Sequence, residues 1–349
     1  MKKFQIVELS TEHNHAGSKA VQDIYNIALS LGYKAHFIRT ATMENSLRGK
    51  IQRQIRFFID WLNVYFCIEA NSIVFIQNPY HHKQLIRNWV LNRLKNKKHV
   101  KFISLVHDVE ELRKSLYNNY YKREFETMLS LADGIIVHNK KMKKFFVEKG
   151  YPEVKLVSLD IFDYLQQRDA TKQMTFERSI SIAGNLDIKK SAYIAKLGSL
   201  STINVHLYGP NFACSLEKFS NIQYHGSFPS AEIPRQLTCG FGLVWDGQSI
   251  ETCSGEFGEY LKYNNPHKLS LYLSSGMPVI IWSEAAESDF IKKNNLGICV
   301  SSLTELPEKL ALITYDDYLK MIENVEKQAL FLVNGTYTKT AIKFAETII

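Results

Sequence analysis

The segment with the most specific chemical pattern is Gly258–Val279, which reads GEYLKYNNPHKLSLYLSSGMPV. Asn265 is a favourable helix N-cap, and Pro266 suits the first helical position. Gly276 suits the position just after a helix, and the proline that soon follows it ends the helix and begins a strand. The spacing therefore predicts a short helix near 266–275 whose N-terminus lies in a loop.

Lys268 lies in the first turn of this predicted helix, where a cation opposes the helix dipole at a cost of roughly 0.3–1 kcal/mol. A bound phosphate reverses that balance, because the free amides, the dipole and the ammonium group then all face an anion. The loop follows a predicted strand near 241–246, and open α/β sheets bind ligands at the carboxyl ends of their strands. We therefore expect phosphate binding here; a lysine on a solvent-exposed helix is the simpler alternative.

Other predicted strand ends carry residues suited to a nucleotide. Gly184 lets the backbone approach a ligand closely and Asn185 can donate from its amide, although a common strand-to-helix turn would look the same. Tyr208 and Gly226 lie at the ends of two predicted strands, in short segments that each contain a tyrosine and a glycine. Such a segment offers a flat surface and free backbone groups to a uracil ring. Core tyrosines beside turn glycines are the alternative. Asp246 can accept hydrogen bonds from ribose or sugar hydroxyls.

Two loops of the N-terminal half also carry chemistry. His107 and Asp108 follow a predicted strand near 101–106, and such a pair can take a proton from an acceptor hydroxyl. A structural histidine followed by a helix-capping aspartate is the alternative. The loop 10–19, after the first predicted strand, contains Gly17, which would permit close approach to a sugar.

Short β-branched runs alternate with helical stretches along the chain, which is typical of parallel α/β domains. Predicted strands lie near 4–9, 34–39, 72–77, 101–106, 134–138, 155–160, 179–184, 203–208, 222–225, 241–246, 278–282 and 297–300. Predicted helices lie near 18–31, 48–69, 83–96, 117–131, 140–149, 189–197, 230–237, 266–275, 285–294, 304–312, 316–333 and 338–349. The polar segment after residue 165 follows neither period. The expected units are domain 1–165, linker 166–178, domain 179–333 and a C-terminal helix, 334–349, that packs back on the first domain.

The predicted helix 48–69 has unusually much apolar surface. Its residues at helical spacing are Ile51, Ile55, Phe58, Ile59, Leu62 and Phe66. We expect this stripe to be the core face and the remaining aromatics, Phe57, Trp61 and Tyr65, to be exposed. The excess predicts a homo-oligomer, either a dimer or a tetramer, formed through the N-terminal domain. A plain core helix is the alternative.

Composition excludes several classes of protein. The chain has 349 residues, of which 45% are apolar and 22% charged, as two globular domains require. No stretch approaches the roughly 18–20 apolar residues that cross a bilayer, and the first apolar run is too short for a signal peptide. The five cysteines are widely spread without a CxxC pair. No zinc site or disulfide framework is therefore predicted, and a cytoplasmic location is expected.

The formal net charge of +8 suits phosphate-bearing ligands or an anionic membrane surface. Much of it lies in dispersed lysine pairs, which indicates solvated helix faces, and contact with the inner face of the membrane is the next candidate. The sequence has no clustered basic and aromatic positions of the kind that bind nucleic acid. No GxGxxG follows the first predicted strand, which argues against a dinucleotide oxidoreductase.

The segment around Lys268 resembles the nucleotide-sugar signature of GT-B glycosyltransferases, in which a Pro-x-Lys helix start is followed by a tyrosine and a Gly-x-Pro-Val strand entry. The matching residues are Pro266, Lys268, Tyr272 and 276–279. Many retaining members carry a glutamate at the position of Leu271, and leucine cannot hold the ribose hydroxyls. The match is closer to a bacterial subfamily that includes the glucosyltransferases of serine-rich repeat adhesins and galactofuranosyltransferases of polysaccharide clusters.

This resemblance implies an α/β fold of the GT-B type, with two facing Rossmann-like domains and a donor cleft between them. It implies hexosyl transfer from a UDP-sugar, with UDP-glucose as the first candidate and UDP-galactofuranose as the alternative. The expected acceptor is a sugar hydroxyl, such as N-acetylglucosamine on a serine-rich glycoprotein or a sugar of a growing capsule or exopolysaccharide. A nonenzymatic, glycan-binding partner of a transferase is the alternative of another class.

The resemblance also implies roles for individual residues. Asp108, with His107, is expected to act on the acceptor. The expected donor-binding residues are Gly17, Gly184, Asn185, Lys190, Tyr208, Gly226, Asp246, Tyr263, Asn264, Asn265 and Lys268. No metal cofactor is expected, because a helix N-terminus and lysines can neutralise the leaving diphosphate.

Overall fold

The computed structural model describes residues 1–9, 16–41, 44, 46–80, 82–169 and 171–349, except for the side chains of residues 16–18. Contacts divide the chain into two compact units. The first contains Met1–Leu159 and Thr338–Ile349, and the second contains Asp160–Tyr337.

The first unit is a parallel sheet with helices in the connections between its strands. Its strands are β1 (Lys3–Leu9), β2 (Lys34–Arg39), β3 (Ile73–Asn78), β4 (Lys101–Val106), β5 (Gly134–Val137) and β6 (Leu156–Ser158). Its helices are α1 (Ala16–Ser30), α2 (Leu47–Cys67), α3 (Arg87–Lys98), α4 (Glu110–Arg113), α5 (Asn119–Leu131) and α6 (Lys140–Glu148). The strand order is β2-β1-β3-β4-β5-β6, so the direction of winding reverses between β1 and β3. The central strands are almost fully apolar, as strands covered on both faces require.

The second unit repeats this architecture. Its strands are β7 (Thr175–Ala183), β8 (Asn204–Tyr208), β9 (Ile222–Tyr224), β10 (Cys239–Val244), β11 (Val279–Trp282) and β12 (Gly297–Val300). Its helices are α7 (Ile233–Gln236), α8 (Gly255–Tyr260), α9 (His267–Ser274), α10 (Ser288–Asn294), α11 (Leu306–Leu312) and α12 (Tyr315–Val333). The order β12-β11-β10-β7-β8-β9 is that of a Rossmann fold, and the winding reverses between β7 and β10.

The last helix, α13 (Thr336–Ile348), lies almost entirely within the first unit. Its Glu346 carboxylate accepts a hydrogen bond from the Tyr33 hydroxyl at 2.7 Å and forms an ion pair with Lys3 at 2.7 Å. Burial raises the pKa of the Tyr33 hydroxyl, so this group remains a donor to the carboxylate. These contacts attach the end of the chain to β1 and to the turn before β2.

The predicted alternation of strands and helices is confirmed, with three local corrections. Strand β7 begins at Thr175, so 175–178 is strand and not linker as predicted, because this segment pairs in the sheet beside β10. The helix predicted near 189–197 is a 3-10 helix, Ala192–Ser199. The short helices α4 and α8 were not predicted, because four to six residues carry too little periodicity to be recognised.

Helix α2 buries the face that was predicted to be exposed. Phe57 and Trp61 are buried in the core, whereas Ile55 and Phe58 of the predicted core stripe are about half exposed. The sequence expectation was wrong because both faces of this helix are apolar, and the bulkier aromatic face fills the space against the sheet. The exposed apolar face consists of Leu47, Ile51, Ile55, Phe58, Ile59 and Phe66.

Among the described residues, no helix combines the length and the apolar character needed to cross a membrane.

Candidate active site

Three glycines end neighbouring strands of the second sheet. Gly184 follows β7, Gly209 follows β8 and Gly226 lies just beyond β9, and we call these residues the glycine edge. The Gly209 amide donates to the carbonyl oxygen of Gly226 at 2.9 Å, and the Gly184 amide donates to that of Tyr208 at 3.0 Å. All three have positive φ, at 144°, 144° and 95°, which side-chain-bearing residues rarely adopt.

The glycine edge leaves room for a ligand. A Cβ added to Gly209 would lie 1.8 Å from the carbonyl oxygen of Gly184, so only glycine lets these two loops approach each other. A Cβ added to Gly184 or Gly226 would meet nothing within 4 Å. Both of these residues therefore border open space at the carboxyl ends of the strands, where α/β sheets bind ligands.

Helix α9 begins beside the glycine edge, on the β10 side of the reversal in winding. Its first residue is His267, and its N-cap is Pro266 in an extended conformation. The predicted cap was Asn265, but the Asn265 side chain instead donates to the carbonyl oxygen of Asp160 at 3.1 Å. Gly276 has φ of 83° just after the helix, as the sequence predicts.

Lys268, in the first turn of α9, is held by the loop after β10. Its Nζ donates to Asp246 Oδ2 at 2.9 Å and to the carbonyl oxygen of Trp245 at 3.0 Å. About a quarter of each of the Lys268 and Asp246 side chains is exposed. Asp246 therefore neutralises the cation beside the helix N-terminus, and both side chains remain partly exposed.

The remaining signature residues support this geometry from within the protein. The Tyr272 hydroxyl accepts a hydrogen bond from the amide of Ala183 at 2.8 Å, which connects α9 to the end of β7. Leu271, at the position where the signature of many retaining members has a glutamate, is buried and acts here as a packing residue. A Cβ on Gly258 would lie 2.9 Å from the carbonyl oxygen of Asp246. This glycine therefore lets α8 pack against the loop after β10, which holds Lys268.

The loop before α9 carries three further predicted residues. Tyr263 and Asn264 are half-buried, and Asn265 is buried. The Asn264 Oδ1 atom is buried and has no hydrogen-bond partner among the described residues. A buried amide oxygen without a donor is costly, and a hydroxyl or amide group of a ligand would satisfy it.

Asn185 and Lys190 lie in the exposed turn after Gly184. Asn185 Oδ1 accepts from the amide of Asp187 at 3.0 Å and from the Asn211 side chain at 2.9 Å. These bonds order the turn and orient the Asn185 amide. Lys190 is exposed two residues before the 3-10 helix that begins at Ala192, and its position beside a ligand stays a prediction.

Tyr208 does not offer the flat surface that the sequence predicts. Its ring is only 4% exposed and stacks on His225 at 4.7 Å, because the side chain points into the sheet packing and not toward the strand end. A different pair forms an aromatic surface here. Phe212 stacks on Tyr224 at 4.2 Å with the rings nearly parallel, and the Tyr224 hydroxyl donates to the carbonyl oxygen of Gly209 at 3.0 Å.

In the first unit, Asp108 lines a surface pocket at the carboxyl end of β4. Two other carboxylates line the same pocket, and they are Glu110 and Glu124. Glu124 is paired with Arg87 in the interior, while Arg113 bridges Asp108 and Glu110 at 3.0 and 3.1 Å. The Asp108 carboxylate is 32% exposed, against 5% and 7% for the other two, so it is the one that a ligand can reach.

His107 is oriented by its neighbour on β3. Its Nε2 lies 2.6 Å from the Gln77 Oε1, an acceptor, so Nε2 carries the proton. Helix α4 has Val109 as its N-cap, with no side-chain capping bond, so Asp108 is not the helix cap considered as an alternative. Of the loop 10–19, residues 10–15 lie outside the described part of the chain, and Gly17 falls within the bounds of α1.

Comparison with protein families matches almost the whole chain. Residues 3–161 match the model described as "Glucosyltransferase 3-like, N-terminal domain", and residues 180–345 match that described as "Glucosyltransferase 3-like, C-terminal domain".

Two curated relatives are similar over nearly their full length. The chain is 32% identical over 349 residues to the beta-1,6-galactofuranosyltransferase WbbI of Escherichia coli strain K12, with 96% of each chain covered. It is 24% identical over 334 residues to Glucosyltransferase 3 of Streptococcus gordonii, with 93% of this chain and 92% of the relative covered.

The fold is similar to that of a solved protein with a bound nucleotide. The structure of Anabaena Alr3699/HepE in complex with UDP matches with a TM-score of 0.61, at 10% identity, over 99% of this chain and all of the other. At this identity the likeness concerns the fold alone.

Proposed function

The chain belongs to the glucosyltransferase 3-like family, and we propose that it transfers a hexose from a UDP-sugar to a hydroxyl of an acceptor sugar. It is a GT-B glycosyltransferase. The observation that carries the proposed donor site is Lys268 in the first turn of α9, bonded to the loop after β10, on a helix that Tyr272 connects to the end of β7 just before Gly184. Such an arrangement suits a diphosphate, because amides, helix dipole and ammonium group act together on one anion.

In the proposed donor complex the diphosphate lies against the glycine edge and the first turn of α9. Lys268 and Lys190 neutralise the charge that develops on the departing UDP, with Asn185 donating from its amide. Asn264 Oδ1, buried without a partner among the described residues, accepts from a donor hydroxyl. The exposed Tyr224 ring, backed by Phe212, is the proposed stacking surface for uracil, in place of Tyr208.

We assign the acceptor step to Asp108. Its exposed carboxylate takes the proton of the attacking hydroxyl, Arg113 holds Asp108 and Glu110 in position, and His107, bonded to Gln77, directly precedes Asp108 in the chain. Proton removal makes the acceptor oxygen a better nucleophile toward the anomeric carbon, while the UDP oxygen leaves with the bonding electron pair.

The sugar is proposed from the relatives. Of the two curated relatives, the more similar one is named a galactofuranosyltransferase and the other a glucosyltransferase. This ranks UDP-galactofuranose ahead of the UDP-glucose expected from the sequence. A nonenzymatic glycan-binding partner is disfavoured, because such a protein has no need for a lysine and an unpaired amide oxygen beside a glycine edge.

UDP is expected to raise the melting temperature of the protein, and NAD is not. A ligand that binds only the folded state stabilises it by about 2.7 kcal/mol at 100 times its Kd. Differential scanning calorimetry with UDP, uridine and NAD measures this, and uridine should act more weakly because it lacks the diphosphate. Stabilisation by NAD with none by UDP would exclude the proposed donor class.

The exposed apolar face of α2 is expected to form a homo-oligomer contact. A double variant in which both Ile55 and Phe58 are replaced by glutamate should be monomeric, because the subunit contact would then bury charged side chains. The matched control is Leu312→Glu, an exposed leucine of the second unit. Multi-angle light scattering should find dimers or tetramers for the wild type and the control.

A monomeric wild type at micromolar concentration would contradict this assembly. If that monomer sedimented with anionic vesicles, the face would instead contact a membrane surface, since Arg48, Lys50 and Arg53 on the same helix suit anionic lipid.

A further inference from the structure

Three side chains with metal-ligating atoms meet on one face of the second sheet. They are Glu177 on β7, His206 on β8 and Cys239 at the start of β10, and their ligand atoms all lie within 4.8 Å of one another. His206 is buried, and the other two are partly buried. Glu177 precedes Gly184 by about 23 Å of extended strand and His206 precedes Gly209 by about 10 Å, at roughly 3.3 Å per residue. None of the three ligands belongs to the glycine edge.

The distances fit a tetrahedral ion. The His206 Nε2 lies 3.4 Å from Glu177 Oε1 and 3.8 Å from Cys239 Sγ. Zinc binds nitrogen and oxygen at about 2.0–2.2 Å and sulfur at about 2.3 Å. At tetrahedral angles these bond lengths separate nitrogen from oxygen by about 3.4 Å and nitrogen from sulfur by about 3.6 Å. These two distances therefore lie within a few tenths of an ångström of the zinc values, and the third, between Glu177 and Cys239, is at most 4.8 Å.

Neighbouring groups orient two of the three ligands. Asn204 donates to Glu177 Oε1 at 3.1 Å, and His206 Nδ1 lies 3.0 Å from His225 Nε2. Metal-binding histidines commonly donate their second ring nitrogen to a neighbour, which fixes the ring and the tautomer. With the proton on Nδ1 and donated to His225, the Nε2 lone pair of His206 faces the cluster.

The charges also favour a cation. Although partial burial acts in the opposite direction, hydrogen bonds from Cys239, Asn204 and His206 lower the pKa of Glu177 and keep it ionised. Burial and the hydrogen bond to Glu177 raise the pKa of the Cys239 thiol to about 11. Glu177 therefore brings a negative charge to the cluster, which suits a cation.

We propose that Glu177, His206 and Cys239 bind a Zn²⁺ ion that joins β7, β8 and β10. Thiolate, imidazole and carboxylate together are a ligand set that zinc accepts, and a water molecule would complete four-coordination. On binding, the Cys239 thiol forms the S–Zn bond and releases its proton to solvent. Sequence spacing did not indicate this site, because Glu177 and His206 are 29 positions apart and His206 and Cys239 are 33 positions apart.

The test is zinc binding by the full-length, untagged protein after dialysis against a chelator. Isothermal titration with Zn²⁺ should give one site per chain, with proton release that varies with the buffer's ionisation enthalpy. Co²⁺ in place of zinc should give an absorption band from thiolate-to-metal charge transfer. Added Zn²⁺ should also raise the melting temperature.

Cys239→Ser should weaken zinc binding by at least about 100-fold and abolish the thiolate band, because loss of a ligand costs no less than loss of a supporting group. Cys299→Ser is the matched control. Like Cys239, Cys299 is a free, half-buried cysteine, and it lies on the edge strand β12 of the same sheet. Glu177→Gln, at a partly exposed position, provides a second variant if Cys239→Ser folds poorly.

Two results would overturn the proposal. One is the absence of a stoichiometric zinc site in the wild type. The three side chains would then only form a series of hydrogen bonds that runs from His225 through His206 to Glu177. The other is a zinc site that survives both Cys239→Ser and Glu177→Gln. Neither result bears on the donor site, because UDP binding is measured separately and uses different residues.

Discussion

Asp108→Asn is expected to lower turnover by roughly 10²–10⁴-fold, the usual contribution of a general base. The substitution keeps the shape of the pocket and the side chain's reach toward Arg113 while removing the basic oxygen. Transfer should be measured with the acceptor saturating, so that the loss appears in kcat. UDP affinity, measured by titration calorimetry, should remain nearly unchanged, because the proposed diphosphate contacts lie in the other domain.

Glu111→Gln is the matched control for Asp108. Glu111 lies on helix α4, just after Asp108, and forms an ion pair with Lys149, but it does not line the Asp108 pocket. It should keep near-normal turnover. If Asp108→Asn also does so, Asp108 is only the partner of Arg113, and the base must be sought in the segment 10–19.

Lys268→Ala is expected to weaken UDP binding by about one to two orders of magnitude. A charge-assisted hydrogen bond contributes roughly 1.5–3 kcal/mol, and 1.4 kcal/mol corresponds to a factor of ten. The variant also leaves the Asp246 carboxylate without its cation, which adds repulsion toward an anionic ligand. Titration calorimetry with UDP gives the change directly, after a thermal scan has verified folding.

Lys262→Ala provides the matched control for Lys268. Lys262 belongs to the same segment but is paired with Glu259 and Glu284 on the surface. Its loss should change UDP affinity by less than about twofold, since exposed ion pairs contribute little. Equal UDP affinity in Lys268→Ala and the wild type would place the diphosphate elsewhere.

The parts of the molecule that follow local rules could be predicted from the sequence. Pro266 and Gly276 bound a helix because proline fixes φ at its start and glycine adopts positive φ after its end. The family and the GT-B fold, both inferred from the same signature, were confirmed. The exact cap was wrong, since Asn265 is held by a residue more than a hundred positions earlier.

Features that depend on packing could not be predicted. Helix α2 carries apolar residues on both faces, so periodicity does not tell which of Trp61 or Phe58 enters the core. Tyr208 and Tyr224 both precede turn glycines, yet the first is buried under His225 and the second pairs with Phe212. The choice depends on the face of the sheet that each side chain meets.

Use of a UDP-hexose by this chain through Lys268 can be measured as release of UDP. Wild type and Lys268→Ala should be assayed with UDP-galactofuranose, UDP-glucose and UDP-galactopyranose, with water or an acceptor sugar as nucleophile. The wild type is expected to release UDP from at least one of them, fastest from UDP-galactofuranose, and Lys268→Ala to release it more slowly at subsaturating donor. Release of no UDP from any of the three by the wild type, with acceptor present, would contradict the account.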